Sequence, residues 1–321
     1  MKTAVVFGAG GFIGSHLVKR LKSECYYVIG ADLKYPEFGD TEAHEFHLSD
    51  LRYLDNVERI LQYGVTEVYQ LAADMGGAGY IFSGEHDANV MHNSAMINLH
   101  TAKRASEIKA KVFFSSSACM YPAHNQLDPN NPNCEESSAY PANPDSEYGW
   151  EKLFSERMYK SFARNYGLDV RIARFHNIFG REGSWNNGKE KAPAAICRKV
   201  AEIEDGGVIE VWGDGKQTRT FLYVDDCIEG VRRLMEHSVA IDPVNIGSIE
   251  MVSINQLVEI VSDIANKKVT IKHVEGNLGV RGRCSDNTYI KEQLHWEPTY
   301  SLRMGLIKTY HWVNKQVHGR K

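Results

Sequence analysis

The sequence predicts an α/β fold, a Rossmann-type doubly wound parallel sheet with a smaller mixed C-terminal lobe. Three observations lead there. Short apolar runs alternate with helical periods through the first half of the chain, a glycine-rich turn joins the first run to the first period, and the alternation loosens after about residue 180. Buried parallel strands read as continuous apolar runs, and a helix is the usual crossover between them.

In order, residues 3–7 read as the first buried strand and 13–22 as the helix after it. Further strands are expected at 27–31, 67–71, 111–115 and 170–174, with a strand-like stretch ending near Asp50. Helical periods at 54–62, 89–108 and 148–165 lie between them, and the crossovers should be right-handed. Polar, glycine-rich residues 183–189 read as a loop, and 193–204 as a helix. Residues 220–223, 225–236 and 244–246 are expected to return to the main sheet. The large domain is then 1–178 with 219–248. The substrate-binding lobe is 179–218 with 249–321, including residues 268–273 and a helix at 302–317. A cleft should separate the two.

Composition narrows the class. With 321 residues, 43% hydrophobic and 24% charged, the chain can bury a core without disulfides or metal. A net charge of -4 without a basic run argues against nucleic acid as a partner. No stretch approaches the ~20 apolar residues of a membrane helix, and Met1 leads directly into a strand pattern, so a soluble, cytoplasmic protein is expected. Cys25, Cys119, Cys134, Cys197, Cys227 and Cys284 show no C-x-x-C spacing. That argues against a zinc site and suits free thiols in a reducing compartment.

The turn reads Gly8-Ala9-Gly10-Gly11-Phe12-Ile13-Gly14. Glycines allow a tight turn and a close backbone approach to a pyrophosphate, and the helix start offers free N–H groups. By itself such a motif could be an ordinary turn; the strand before it, the helix after it and an acid at the end of the second strand make it a dinucleotide fingerprint. That acid, Asp32, suits ribose hydroxyls and repels a 2′-phosphate, so NAD is expected, although Lys34 weakens the preference slightly. Asp50 could face the adenine, and Leu71, Ala72 and Ala73 could line the cofactor's path; simple packing and capping explain these positions nearly as well.

Tyr148 and Lys152 stand four residues apart, on one face of a helix. A phenol is a poor base at neutral pH, but a nearby ammonium and a nicotinamide charge favour the phenolate. Tyr148 could then take a hydroxyl proton as a hydride leaves the same carbon. Ser117, in the Ser115-Ser116-Ser117 run that ends a strand, could orient that hydroxyl. The glycine motif, the serine run and this Tyr–Lys pair together resemble the extended short-chain dehydrogenase/reductase family.

More specific stretches are similar to the branch of that family that epimerises GDP-hexoses at C3 and C5. They are Ala-Ala-Asp-Met-Gly-Gly at 72–77, Ser-Ser-Ala-Cys-Met-Tyr-Pro at 116–122 and Arg-Phe-His-Asn-Ile-Phe-Gly at 174–180. Glu-Lys-Ala-Pro-Ala-Ala at 190–195, Trp-Gly-Asp-Gly-Lys-Gln-Thr-Arg at 212–219 and Gly-Val-Arg-Gly-Arg at 279–283 extend the likeness over nearly the whole chain. The resemblance implies transient oxidation at C4, proton removal and return at C3 and C5, and re-reduction, with NAD retained. It assigns the proton transfers to Cys119 and Lys191, without saying which is acid and which base. Alone, Cys119 reads as a small buried hydrophobe and Lys191 as a solvated charge. The resemblance also places Gly77, Ser117, Asn177, Lys199, Gln217, Arg219 and Arg281 around the GDP-sugar, and implies a homodimer through the helices at 89–108 and after Tyr148. His176 reads as a packed, hydrogen-bonded side chain. Competing readings are the same chemistry on a GDP-heptose, a C4-only epimerase or dehydrogenase, and a non-enzymatic NAD sensor on the same fold.

Overall fold

In the computed structural model, which describes residues 1–238, 242–276 and 279–319, the glycine turn sits where the central sheet changes its direction of growth. Residues 239–241, 277–278 and 320–321 of the expected segments 219–248 and 249–321 lie outside the described residues. The chain runs β1 (Thr3–Phe7), α1 (Phe12–Ser23), β2 (Tyr27–Asp32), β3 (Glu45–Leu48), α2 (Leu54–Ile60), β4 (Glu67–Gln70), α3 (Ala78–Ile81), α4 (Asp87–Ile108), β5 (Lys111–Ser117), α5 (Glu147–Tyr166) and β6 (Val170–Phe175). It continues through β7 (Ile178–Phe179), α6 (Ala192–Glu202), β8 (Val208–Trp212), β9 (Thr218–Thr220), β10 (Leu222–Tyr223), α7 (Val224–Glu236) and β11 (Val244–Ile246). The last part holds β12 (Met251–Ser253), α8 (Ile254–Ile264), β13 (Thr270–Val274), β14 (Gly282–Arg283), α9 (Thr288–Leu294) and α10 (Leu302–His318).

The seven-stranded sheet has the order β11-β6-β5-β4-β1-β2-β3, and every pair in it is parallel. The α/β expectation therefore holds. The strands grow outward from β1 in one direction and restart at β4 in the other. Beyond the carboxyl ends of β1 and β4 lies the crevice where doubly wound sheets bind ligands.

Alternation along β1 shows how the sheet is covered. Val5 and Phe7 pack with Val57, Ala102 and Tyr159 on one face. Ala4 and Val6 pack with Leu17, Val224 and Val231 on the other. Each fully buried Val, Leu or Phe side chain contributes about 1.5–3 kcal/mol.

The segment expected to return to the main sheet splits. Val244–Ile246 does so, pairing with β6 as the edge strand. Residues 220–223 do not: β9 pairs with β12 and β14, and β10 with β7. The reason is steric and topological. Asn177 takes a left-handed conformation (φ 48°) that turns the chain out of β6, and β11 already occupies the edge of β6. The expected strand at 268–273 is β13, paired with β8, whose Ile209 and Val211 are buried between exposed neighbours. No helix among the described residues is long and apolar enough to cross a membrane.

Candidate active site

Helix α1 starts at Gly11 with no side-chain cap and no acidic residue in its first turn. Its free N–H groups and positive dipole end are thus open to an anion. Side chains at Gly10 and Gly14 would clash with the backbone oxygens of Lys34 and Gly8, so the turn cannot form without glycine there. Asp32 accepts from the Gly10 N–H (3.0 Å) and the Lys34 N–H (3.3 Å), while burial pushes its carboxyl upward. The cleft above has a volume of about 630 Å³. Gly8, Gly11, Phe12, Ile13 and Gly14 line it, with Asp32, Asp50, Leu71, Ala72 and Ala73. Asp50 is held by the Arg52 guanidinium (2.6–3.1 Å), which keeps its carboxyl below the usual range. A phosphate-ready helix end, glycines at the closest approach and an acid one strand over fit a dinucleotide.

The far end of the cleft is built by β5 and α5. Ser146 caps α5 by accepting from the Gly149 N–H (3.3 Å). Tyr148 and Lys152 follow on one face, with the Lys152 Nζ 5.6 Å from the Tyr148 ring centroid. Lys152 donates to the Ser115 carbonyl (2.9 Å), and burial lowers its pKa. Burial pushes the Tyr148 phenol well above its ordinary value, and the neighbouring Ser117 side chain opposes that shift.

Cys119 lies in the short 3-10 turn Ala118–Met120 directly after β5, its N–H donating to the Ser117 hydroxyl (3.2 Å). Gly149 lets α5 approach this turn: a side chain there would collide with the Cys119 carbonyl. Lys191 stands at the start of α6 and lines the cleft. Burial lowers its pKa; the neighbouring Cys119 and Cys227 oppose this and Arg283 adds to it. Cys119 packs beside Tyr148, and Lys191 lines the same cleft as Tyr148.

Arg283 was not expected here. Its guanidinium donates to the Cys119 sulfur (3.1 Å) and to Gln126 (2.5 Å), and lies 3.6 Å from Asp145. It is buried; Arg219 is half-buried, and its pKa is lowered to about 10 by desolvation and then by Arg283. The available signal was the Gly-Val-Arg-Gly-Arg run, which singled out Arg281 instead.

The other expected substrate residues are more scattered. Ser117, Tyr148, Lys152 and Lys191 line the cleft; Cys119, Gly77, Asn177, Lys199, Gln217, Arg219 and Arg281 lie outside its lining. Gly77 nevertheless touches the Lys191 segment, since a Cβ there would stand 2.7 Å from the Glu190 carbonyl. Asn177 donates to Thr220 O (3.0 Å) and Gln217 to Trp212 O (3.3 Å). Lys199 is engaged by Glu210 O (2.6 Å), and Arg281 forks onto the Asp214 carboxylate (3.0 and 3.1 Å). His176 is buried against Asn245 (2.8 Å), with its pKa pulled down to about 3 by burial, so it stays neutral.

A doubly wound sheet with a dinucleotide cradle and a Ser–Tyr–Lys end defines an NAD-dependent enzyme of the short-chain dehydrogenase type. The chain belongs to the NAD dependent epimerase/dehydratase family, whose model matches residues 4–247. It is 47% identical over 320 residues to GDP-mannose 3,5-epimerase 1 of Oryza sativa subsp. japonica, covering 98% of this chain and 82% of that one. GDP-mannose 3,5-epimerase of Arabidopsis thaliana is also 47% identical, with 98% and 83% covered. Among solved structures, UDP-glucose 4-epimerase of Thermotoga maritima with UDP-glucose superposes with a TM-score of 0.86 at 26% identity, covering 98% of this chain and 100% of that one. UDP-glucuronic acid 4-epimerase of Bacillus cereus, in complex with UDP-glucuronic acid and NAD, gives 0.81 at 25%, with 98% and 100% covered.

Proposed function

We propose that this chain is a 3,5-epimerase of a GDP-hexose, with GDP-mannose as the first candidate. The reading is supported by Cys119, which packs beside Tyr148, and by Lys191, which lines the same cleft as Tyr148 and is electrostatically coupled to Cys119. A C4-only epimerase needs the Ser–Tyr–Lys end but has no use for two further proton-transfer groups.

The glycine turn and Asp32 would hold NAD, which would supply the hydride acceptor and donor for C4 and a positive nicotinamide favouring the Tyr148 phenolate against the upward push of burial. Tyr148 removes the C4 hydroxyl proton, with Ser117 orienting that hydroxyl and Lys152 supplying positive charge on the same helix face. The C4 carbonyl then acidifies the hydrogens at C3 and C5, since the carbanion delocalises onto its oxygen. Cys119 and Lys191, acting from opposite ring faces, remove and return these protons. Arg283 sets a fixed positive charge against the sulfur. Tyr148 finally gives its proton back to the C4 oxygen, and the net reaction is redox-neutral.

Half-buried Arg219, which donates to the Thr218 and Val280 carbonyls (2.8 and 2.7 Å), is the candidate cation for the diphosphate. A homodimer is part of the same reading, supported by the half-exposed Trp150 and Phe154 on α5, which packs along α4. A cytoplasmic setting is supported by six free cysteines.

The test is incubation of the purified enzyme with GDP-mannose in heavy water, read by proton NMR and mass spectrometry. Deuterium at C3 and C5 with new GDP-sugar isomers is expected. Isomerisation at C4 without carbon-bound deuterium would establish the C4-only reading. Inert GDP-mannose beside exchanging GDP-heptose would move the substrate and keep the chemistry.

A further inference from the structure

Tyr80 makes three contacts, each to a different segment of the sugar end. Its ring stacks on His86 (centroids 4.1 Å apart, 16° between planes). Its hydroxyl donates to Asp74 (2.8 Å), which is held in turn by Asn93 (2.9 Å) and by an N–H bond to Ser94 (3.1 Å). On its open face stands the ammonium of Lys189, 4.1 Å from the ring centroid.

Lys189 is two residues before Lys191. Between them, the Glu190 carbonyl lies so close to Gly77 that a Cβ there would stand 2.7 Å away. Tyr80 and Phe82 also pack, with Cys119, on the small apolar cluster of Ile81, Val90 and Tyr148. The α3 turn therefore touches both the tyrosine and the strand of chain that delivers the lysine. Residues 187–190 are a loop with exposed side chains at Asn187 and Lys189, which leads into Lys191 at the N-cap of α6 and is also tied by the Glu190–Arg198 ion pair (3.4 Å).

We propose that Tyr80 and Lys189 form a cation–π clamp that positions Lys191 for proton transfer at the sugar ring. Tyr80 touches no reacting atom and acts through the loop; the inference rests on the assignment of Lys191 to that transfer. A cation over an aromatic face is attracted by the ring quadrupole, and Phe serves as well as Tyr in that role, as does Arg for Lys. A displacement of about 1 Å at a reacting group can cost on the order of a hundredfold in rate. Losing the clamp should therefore reach the chemistry before it reaches substrate affinity.

The test compares Tyr80→Leu, Tyr80→Phe, Lys189→Gln and Lys189→Arg with the unmodified holoenzyme on GDP-mannose in heavy water. Tyr80→Leu and Lys189→Gln should slow carbon-bound deuterium exchange by about tenfold or more, with KM nearly unchanged. Reduced nicotinamide should build up on the enzyme, seen by its near-ultraviolet absorbance, because oxidation at C4 outruns deprotonation. Tyr80→Phe and Lys189→Arg should restore most of the exchange. Lys189 is exposed, so its variants test the clamp even if Tyr80→Leu folds poorly. Exchange at the unmodified rate in Lys189→Gln, a change in KM alone, or conservative variants as slow as the disruptive ones would each overturn the clamp. Lys191→Met separates the two ideas: if it exchanged normally, the assignment of Lys191 itself would fail and the clamp with it.

Discussion

At the residue scale, Arg283 changes how the two proton-transfer groups are read. It touches the Cys119 sulfur and presses on the Lys191 ammonium by like charge. Lys191 is lowered first by burial, with Arg283 adding in the same direction. Replacing Arg283 by Gln removes that like charge, so the lysine pKa should rise. A lysine that donates a proton loses that ability as pH climbs through its pKa. The alkaline limb of the exchange rate should thus begin below the ordinary lysine value of 10.5 and move to higher pH in Arg283→Gln. Overall turnover should fall by about tenfold to a hundredfold, because a preorganised charge beside the sulfur is lost. A pH–rate series on both proteins checks this, and a limb that stays put or moves down would count against Lys191 as donor. The glycine turn, Asp32, Tyr148 and Lys152 were legible in the sequence because their meaning lies in local spacing. Arg283 was not. Arg281 and Arg283 stand two residues apart, and Asp214, Gln126 and Cys119, all from remote segments, decide which one turns inward.

At the element scale, the site depends on how closely α5 approaches the turn after β5. Gly149 is the contact point, between the Cys119 carbonyl and Pro144. In a solvent-facing helix, Gly→Ala stabilises by about 1 kcal/mol. Here the sign should reverse. Gly149→Ala forces the helix away from the turn and should destabilise by about 1–3 kcal/mol, as overpacking does. It should also lower turnover sharply, since Tyr148 and Cys119 sit on the two sides of that contact. Denaturant unfolding together with steady-state rates reads both effects, and a stabilised, fully active variant would show that the approach is not needed. Element reading from sequence had a characteristic weakness here. Continuous apolar runs located β1, β4 and β5 well, yet residues 220–223 have the same apolar character and pair outside the main sheet. An apolar run reports burial but not which sheet edge is free. Helix α8 did leave a readable signal, a capping box between Ser253 and Gln256 at its start, which the apolar-run reading passed over.

At the scale of the whole molecule, α10 ties the two ends of the cleft together. It packs along α6, the helix that begins next to Lys191. Near its own C-terminal half, Trp312 meets Phe38 edge-on, with centroids 4.9 Å apart and planes at 89°. Phe38 belongs to the connection between β2 and β3, where Pro36, Glu37, Phe38 and Asp40 all line the cleft beyond Asp32. This connection runs across the end of the cleft where Asp32 and Asp50 lie, and the Phe38–Trp312 contact anchors it to the C-terminal helix. A redox-neutral cycle gains nothing from exchanging its cofactor, so a strap that slows NAD release suits the chemistry. An edge-to-face aromatic pair contributes about 0.5–1.5 kcal/mol beyond its buried area, and tenfold in affinity corresponds to about 1.4 kcal/mol. Phe38→Ala should therefore raise the NAD dissociation constant by about tenfold and leave cofactor-depleted protein after gel filtration. Turnover at saturating NAD should be unaffected, because Phe38 is remote from Tyr148 and Lys191. Trp312→Ala should reproduce the loss of NAD from the other side of the contact. Bound NAD measured by absorbance after gel filtration, with activity before and after adding NAD back, decides the matter. Retention equal to that of the unmodified protein in both variants would mean that the glycine turn and Asp32 hold the cofactor without the strap.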